Sequence, residues 1–356
     1  MKKHILLVIA LFMCISASAQ RPVKSELKQL QAFLSQPAME SSTNAAALKI
    51  TDLNNPASWD GVKMEGGRIV EIDWSGKRLA GDLDLSGFKN LSKVNLSNNR
   101  ITSVLVNDNP ALNYLNVGRN RLTSINVSAC PQLRDLRVYR NQLSSIDISG
   151  TPVLERLNVS GNSLVELNLS NAVLLNYLNC MSNHLESLTL NGCENLRTLY
   201  AAYNDLTEVT FAGLEKLETV NLDSNHLKNL YLQGLPNLFT IMVSDNHMTS
   251  LALNDCPNLN DVDAAYNDLT TFSVAKCPNL AFVDLNWNDL TFIDLSNQNF
   301  LQRLNVSNNQ LVTLDVTFDQ MLRYVNVSSN YNLTDLRTVG CTSLRMIRGA
   351  WDDNDI

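Results

Sequence analysis

The sequence predicts a solenoid in which short parallel β-strands stack, coil upon coil, into one sheet along one side. Three observations predict it. A leucine opens the same pattern at Leu91, Leu112, Leu133, Leu154, Leu175, Leu196, Leu217, Leu238, Leu259, Leu280, Leu301 and Leu322, a constant step of 21 residues. Eight residues after each stands an asparagine, from Asn99 through Asn120, Asn141, Asn162, Asn183, Asn204, Asn225, Asn246, Asn267, Asn288 and Asn309 to Asn330. Between these landmarks polar and apolar residues alternate. In Leu112-Asn113-Tyr114-Leu115-Asn116-Val117-Gly118-Arg119-Asn120, Leu115 and Val117 point inward while Tyr114, Asn116 and Gly118 point out, as a strand requires.

A unit this short cannot bury its apolar face alone; stacking on a neighbour buries it. The 356 residues therefore predict one elongated body and not two globular domains. The pattern L-x-x-L-x-L-x-x-N-x-L-x-x-L-x-L resembles the leucine-rich repeat, specifically the bacterial class with 21-residue units; internalins are similar, with a slightly longer unit. The resemblance implies a leucine-rich-repeat solenoid with its parallel β-sheet on the concave side. It also implies a scaffold used for recognition, and names no partner.

Residues 1–19 read as a signal peptide: Lys2 and Lys3, an apolar run over residues 5–15, and the small-residue site Ala17-Ser18-Ala19. Cleavage after Ala19 starts the mature chain at Gln20. The alternative, a lipoprotein acylated at Cys14, is disfavoured by the bulky Met13 that precedes it. No second apolar run reaches the ~20 residues of a spanning helix, so the mature chain is expected to be secreted or at the cell surface. Its net charge of -7 is mild, and no basic run suggests nucleic acid or a polybasic membrane contact.

Residues 20–68 form a small helical N-terminal cap. Ser25 is placed to cap a helix through Leu34 that puts Leu27, Leu30, Phe33 and Leu34 on one face, and a second short helix is expected from Asn44 to Ile50. Trp59-Asp60-Gly61-Val62, followed by Gly67-Arg68-Ile69-Val70-Glu71-Ile72-Asp73-Trp74, looks like the amino-terminal cap of plant-type leucine-rich-repeat proteins, without the cysteine pair those caps carry. Residues 69–343 are the repeats, beginning with a degenerate unit through Ile69, Ile72, Trp74 and Leu79 with one extra residue before Leu91. One asparagine per coil can satisfy backbone groups where the chain leaves the strand, so the copies form a ladder. The second half of each unit, as in Leu122, Ile125 and Val127, keeps the same apolar spacing, which predicts extended or short-turn segments on the convex side. Residues 344–356 are the C-terminal cap and acidic tail, with Ile347 in place, Asp352 where the asparagine would stand, and Trp351 closing the stack. Stacking at ~4.8 Å per coil gives a body on the order of 50 Å long.

Five cysteines, Cys130, Cys193, Cys256, Cys277 and Cys341, fall at one repeat position, and Cys180 takes a core position. Packed free thiols are expected. The alternative is a bridge between Cys256 and Cys277, which lie in adjacent coils and within disulfide reach.

Function must then reside on the outward columns. Arg119, Arg121, Arg134, Arg137, Arg140 and Arg156, with Tyr114 and Tyr139, make the early coils basic; Asp245, Asp261, Asp263, Asp268, Asp284 and Asp289, with Tyr266, Phe282 and Trp287, make the later ones acidic and aromatic. Exposed aromatics and arginines are the usual anchors of protein interfaces. The binding residues expected from this pattern are Tyr200, Tyr203, Met242, Asp245, Asp263, Tyr266, Phe282, Asp284 and Trp287 at one pole, and Arg119, Arg137 and Arg140 at the other. His184, His226 and His247 share one column with Asp205 and Asp268, close enough to hold a metal if they were not simply an exposed polar row, which is the reading taken. No phosphate-cradling loop, H-E-x-x-H or G-x-S-x-G is present, and an open sheet offers no pocket for paired carboxylates, so no catalysis and no cofactor are expected. The sequence thus predicts an exported, non-enzymatic binding scaffold with a protein partner; glycan binding and a purely structural role in assembly are the alternatives.

Overall fold

The computed structural model describes residues 23–170 and 172–349. The expected signal peptide with Cys14 and Ala19, and Trp351 with the acidic tail, lie outside the described residues.

Each coil contributes one short strand whose central residue is buried and whose neighbours turn outward, as in Asp135–Arg137 and Thr198–Tyr200. Together they build a 15-stranded sheet from Val62–Glu65 to Met346–Arg348. The first pairing is antiparallel, and every later one is parallel and in register. Leu199 stands between Leu178 and Val220, all three fully buried. A slip of one residue would turn this buried set into solvent, so the alternation specifies the register.

The asparagines form the expected ladder. Asn204 donates from Nδ2 to the Ala201 carbonyl of its own coil at 3.0 Å and to the Cys180 carbonyl of the preceding coil at 3.1 Å, while its Oδ1 accepts from the Leu185 N–H at 3.1 Å. The same three contacts recur at every rung from Asn99 to Asn330. One side chain per coil thereby satisfies backbone groups that the turn off the strand leaves unpaired. Immediately before each rung the backbone enters the left-handed region, at Asn98, Arg119, Arg140, Gly161, Ser182, Tyr203, Ser224, Asp245, Tyr266, Trp287, Asn308 and Ser329.

The opposite side is extended in places and turned elsewhere. Asn229–Gln233, Ser250–Asn254 and Thr271–Ala275 form a three-stranded parallel sheet there, and two-stranded pairs join Ala80–Asp84 to Arg100–Leu105 and Thr313–Asp315 to Asp335–Arg337. A bulge between Gly81 and Asp82 lies in the coil where the sequence carries its extra residue. Cys130, Cys193, Cys256 and Cys277 are buried in one column beside Cys180 in another, while Cys341 is only half-buried, a departure from the expectation that all the thiols are covered. All six are free thiols in this structure.

The amino-terminal end is closed by the helix Lys24–Leu34, the short helix Asn44–Ala47 and the hairpin Val62–Glu65 with Arg68–Asp73. Ser25 does not cap the first helix: its N-cap position is Val23, with no side-chain bond. Leu30, Phe33 and Leu34 are buried as expected, but Leu27 is only half-buried, and Glu26 takes the covered position at 1% exposure. Its carboxylate accepts from Arg68 Nη1 at 3.1 Å and the Ile69 N–H at 3.3 Å, so the cost of burying it is offset by two charge-assisted bonds. The second helix stops at Ala47, three residues short of the expected end. Asn44, fully buried, bonds the carbonyls of Phe33 and Ala80 and so ties this cap to the first coil. Phe33 stacks on Trp74 with ring centroids 6.0 Å apart, and Trp59 leans on the same ring at 6.5 Å. No helix among the described residues is long and apolar enough to cross a membrane.

Candidate functional site

The in-register sheet turns columns of the repeat into rows of side chains. Parallel strands place Asp261 beside Phe282 and Asp263 beside Asp284, with Met242 next to Asp263 on the other side. Three residues beyond the ends of those strands come the left-handed positions, and there Tyr266 and Trp287 stack with centroids 5.9 Å apart and planes 11° from parallel. Both stay open to solvent, at 55% and 53% exposure, as does Tyr203 at 58% in the same column. A bulky side chain at positive φ is uncommon, because its Cβ crowds the following carbonyl; glycine, asparagine or aspartate sits there at lower cost. Tyr200 is half-buried and meets Tyr177 edge-on at 6.0 Å, and Phe282 is exposed.

The carboxylates around these rings differ in environment. Burial pushes the Asp263 carboxyl up to about 6, and the nearby charges of Asp284, Asp223 and Asp261 push in the same direction against a bond from the Ala265 N–H. Burial also raises Asp223 and Asp261. Asp284 accepts from the Asn286 N–H and from Asn305 Nδ2, both at 3.0 Å, and Asp245 accepts from Ser224 Oγ at 2.8 Å. The half-buried Asp223, bonded to the Ser244 N–H and hydroxyl at 2.8 Å each, belongs to this cluster and was not expected from the sequence.

The arginine pole is less charged than its sequence suggests. Arg137 forks onto Asp135, Nε at 2.9 Å and Nη2 at 2.8 Å, and lies over the Tyr114 ring at 5.4 Å. Arg156 stacks on Tyr177 at 4.3 Å, and Arg134 pairs with Glu155. Arg119, Arg121 and Arg140 are exposed and make no ion pair among the described residues. Asn116, expected to point out, is only 7% exposed. The ring of Tyr139 folds back over Gly118, where a Cβ would meet its Cε1 at 2.2 Å, so Gly118, also expected to point out, is covered too. The arginine and aromatic poles are not brought together: Arg140 and Tyr266 share a column but lie six coils apart, ~29 Å at the strand spacing.

The histidine column is ordered as the repeat implies. Asp205 stands between His184 Nδ1 and His226 Nε2, 3.5 Å from each, and His226 stacks on His247 at 5.8 Å. No group of three or more His, Cys, Asp or Glu side chains among the described residues is arranged to hold a metal ion.

No protein-family model matches the chain, and no curated protein does. Solved structures match its fold. The functional domain of InlJ from Listeria monocytogenes, described as including a cysteine ladder, is 25% identical over 61% of this chain with a TM-score of 0.53; the chain spans only 51% of that protein's length. An internalin, InlF, from the same organism is 17% identical and matches 90% of this chain and 98% of its own, with a TM-score of 0.57. A chain of the LRIM1/APL1C complex is 22% identical over 68% of this chain and 48% of its own, with a TM-score of 0.57. The fold is therefore the leucine-rich-repeat solenoid that the sequence implied.

Proposed function

We propose that this leucine-rich-repeat solenoid is an exported, non-enzymatic scaffold that binds a protein partner across the outward face of its long sheet. The observation that carries this reading is the Tyr266–Trp287 stack, two large rings held more than half exposed where the backbone favours glycine. Folding alone supplies no reason for a tryptophan at such a position. Buried on binding, rings of this size act as anchors, and Tyr200, Tyr203, Met242 and Phe282 extend the apolar surface around them. Asp245, Asp263 and Asp284 give that surface negative charge, and Arg119 and Arg140, with the paired Arg137 between them, set the opposite sign at the far pole. A partner with the complementary distribution would be steered into one orientation. The LRIM1/APL1C structure is a protein complex containing this fold, which supports a protein as the partner. Export rests on the Lys2 to Ala19 leader.

The test is site-specific photo-cross-linking in the cells that make the protein. A photoreactive phenylalanine analogue replaces Trp287 in one variant and Tyr231, 61% exposed on the opposite side, in another. Discrete adducts from position 287, suppressed by an excess of unlabelled chain and missing at 231, are expected. Adducts at neither position, or the same adducts at both, contradict the reading.

A further inference from the structure

We propose that Cys256 and Cys277 are joined by a single disulfide that bolts together the two coils carrying Tyr266 and Trp287. The strands Ser250–Asn254 and Thr271–Ala275 that lead into these cysteines are paired residue for residue, with Leu253 opposite Val274 and Asn254 opposite Ala275. Each is followed by the same turn, a residue in the left-handed region (Asp255, Lys276), then Cys-Pro-Asn-Leu, so the cysteines are equivalent points on neighbouring coils. Parallel strands lie ~4.8 Å apart, inside the Cα separation a disulfide spans. Cys277 reaches toward the coil of Cys256: its Sγ lies within 3.7 Å of the Leu253 carbonyl oxygen on the preceding coil, next to the Asn254 carbonyl that Cys256 Sγ approaches at 3.4 Å. From the ~4.8 Å spacing of the coils, closing the bond draws the two Cβ atoms in by about 1 Å, to the ~3.8 Å usual for a disulfide. The flanking segments are turns, which give more easily than a strand.

No other pair qualifies. Thr151 and Ala172 separate Cys130 from Cys193 along the column, Gln298 and Asp319 separate Cys277 from Cys341, and Cys180 lies in a different column. Where the two thiols meet, the S–H of Cys256 favours a thiolate at Cys277, holding it below the ordinary thiol value, while Cys256 itself is raised. With a dissolved small-molecule disulfide as oxidant, the Cys277 thiolate attacks one of its sulfurs and expels the other as a thiolate. Cys256, giving up its proton to solvent, then attacks Cys277 Sγ and expels the second. The protein loses two hydrogens and two electrons, and the reagent leaves as two thiols. Both sulfurs are covered in the folded chain, so the exchange takes place as these coils close.

The test is refolding of the full chain in a mixture of reduced and oxidised glutathione, alkylation of free thiols, and non-reducing tryptic mass spectrometry. The expected product is the peptide of residues 229–276 linked to that of 277–303, two hydrogens lighter than the pair, with Cys130, Cys180, Cys193 and Cys341 alkylated. The Cys256→Ala/Cys277→Ala variant, which keeps the column apolar, should melt with the reduced wild type and on the order of 5 °C below the oxidised one. Alkylation of every cysteine in a chain with the native circular dichroism spectrum, a different linkage, or equal melting of oxidised and reduced protein would each overturn the proposal. None of these results depends on whether a protein partner is ever found.

Discussion

Asn204 shows how much one side chain does in this fold, since it satisfies two carbonyls and one N–H that no strand partner reaches. Replacing it with alanine orphans groups at ~1–3 kcal/mol each. Urea denaturation of Asn204→Ala should therefore show a loss of at least about 2 kcal/mol, whereas a change inside about 0.5 kcal/mol would mean the rungs are decoration. Asp263 makes the opposite kind of prediction. Its folded pKa, about 6, lies above its ordinary 3.8, so its favourable contribution is complete below pH 3.8 and is lost as pH rises through about 6. Asp263→Asn should then stabilise the protein at pH 7 by on the order of 1–3 kcal/mol and leave it unchanged near pH 4. Equal effects at both pH values would place the cause elsewhere. The ladder was legible because an asparagine recurs without exception. The left-handed column before it was not, because Tyr203, Tyr266, Trp287, Arg119 and Arg140 hide the Asn, Ser, Asp and Gly that signal such a conformation in the other coils.

Among the elements, the hairpin that starts the sheet is the most constrained. Gly61 has a φ of +79°, its carbonyl accepts from the Asp73 N–H at 2.7 Å, and a Cβ there would stand 2.0 Å from the Asp73 carbonyl oxygen. Gly61→Ala should lower stability by more than about 1 kcal/mol, seen as a lower melting temperature with early loss of the near-ultraviolet signal of Trp59 and Trp74. An unchanged melt would mean that this end frays without consequence. The strands of the long sheet could be read from alternation alone. The position of Glu26 could not, because its partners Arg68 and Ile69 lie more than 40 residues away and a carboxylate is not expected in a core. The opposite-side strands were likewise hidden, since the same apolar spacing yields a paired strand at Ser250–Asn254 and segments outside any strand in most earlier coils.

For the whole molecule, constant step and constant register convert distance along the chain into distance along a straight row. That is why Tyr266 and Trp287 could be named as neighbours from the sequence, and why the arginine and aromatic poles fall on one face yet far apart. The charge each pole presents was not readable, because it depends on local pairs such as Arg137 with Asp135 and on the burial of Asp263. The most direct measurement compares the cross-linked partner's affinity for the wild type and for Tyr266→Gly/Trp287→Gly by titration calorimetry, with a thermal melt of each. Glycine suits both left-handed positions, so the variant should melt at or above the wild-type temperature while its affinity falls more than tenfold. Unchanged affinity in a folded variant would contradict the claim that this face is where the protein binds.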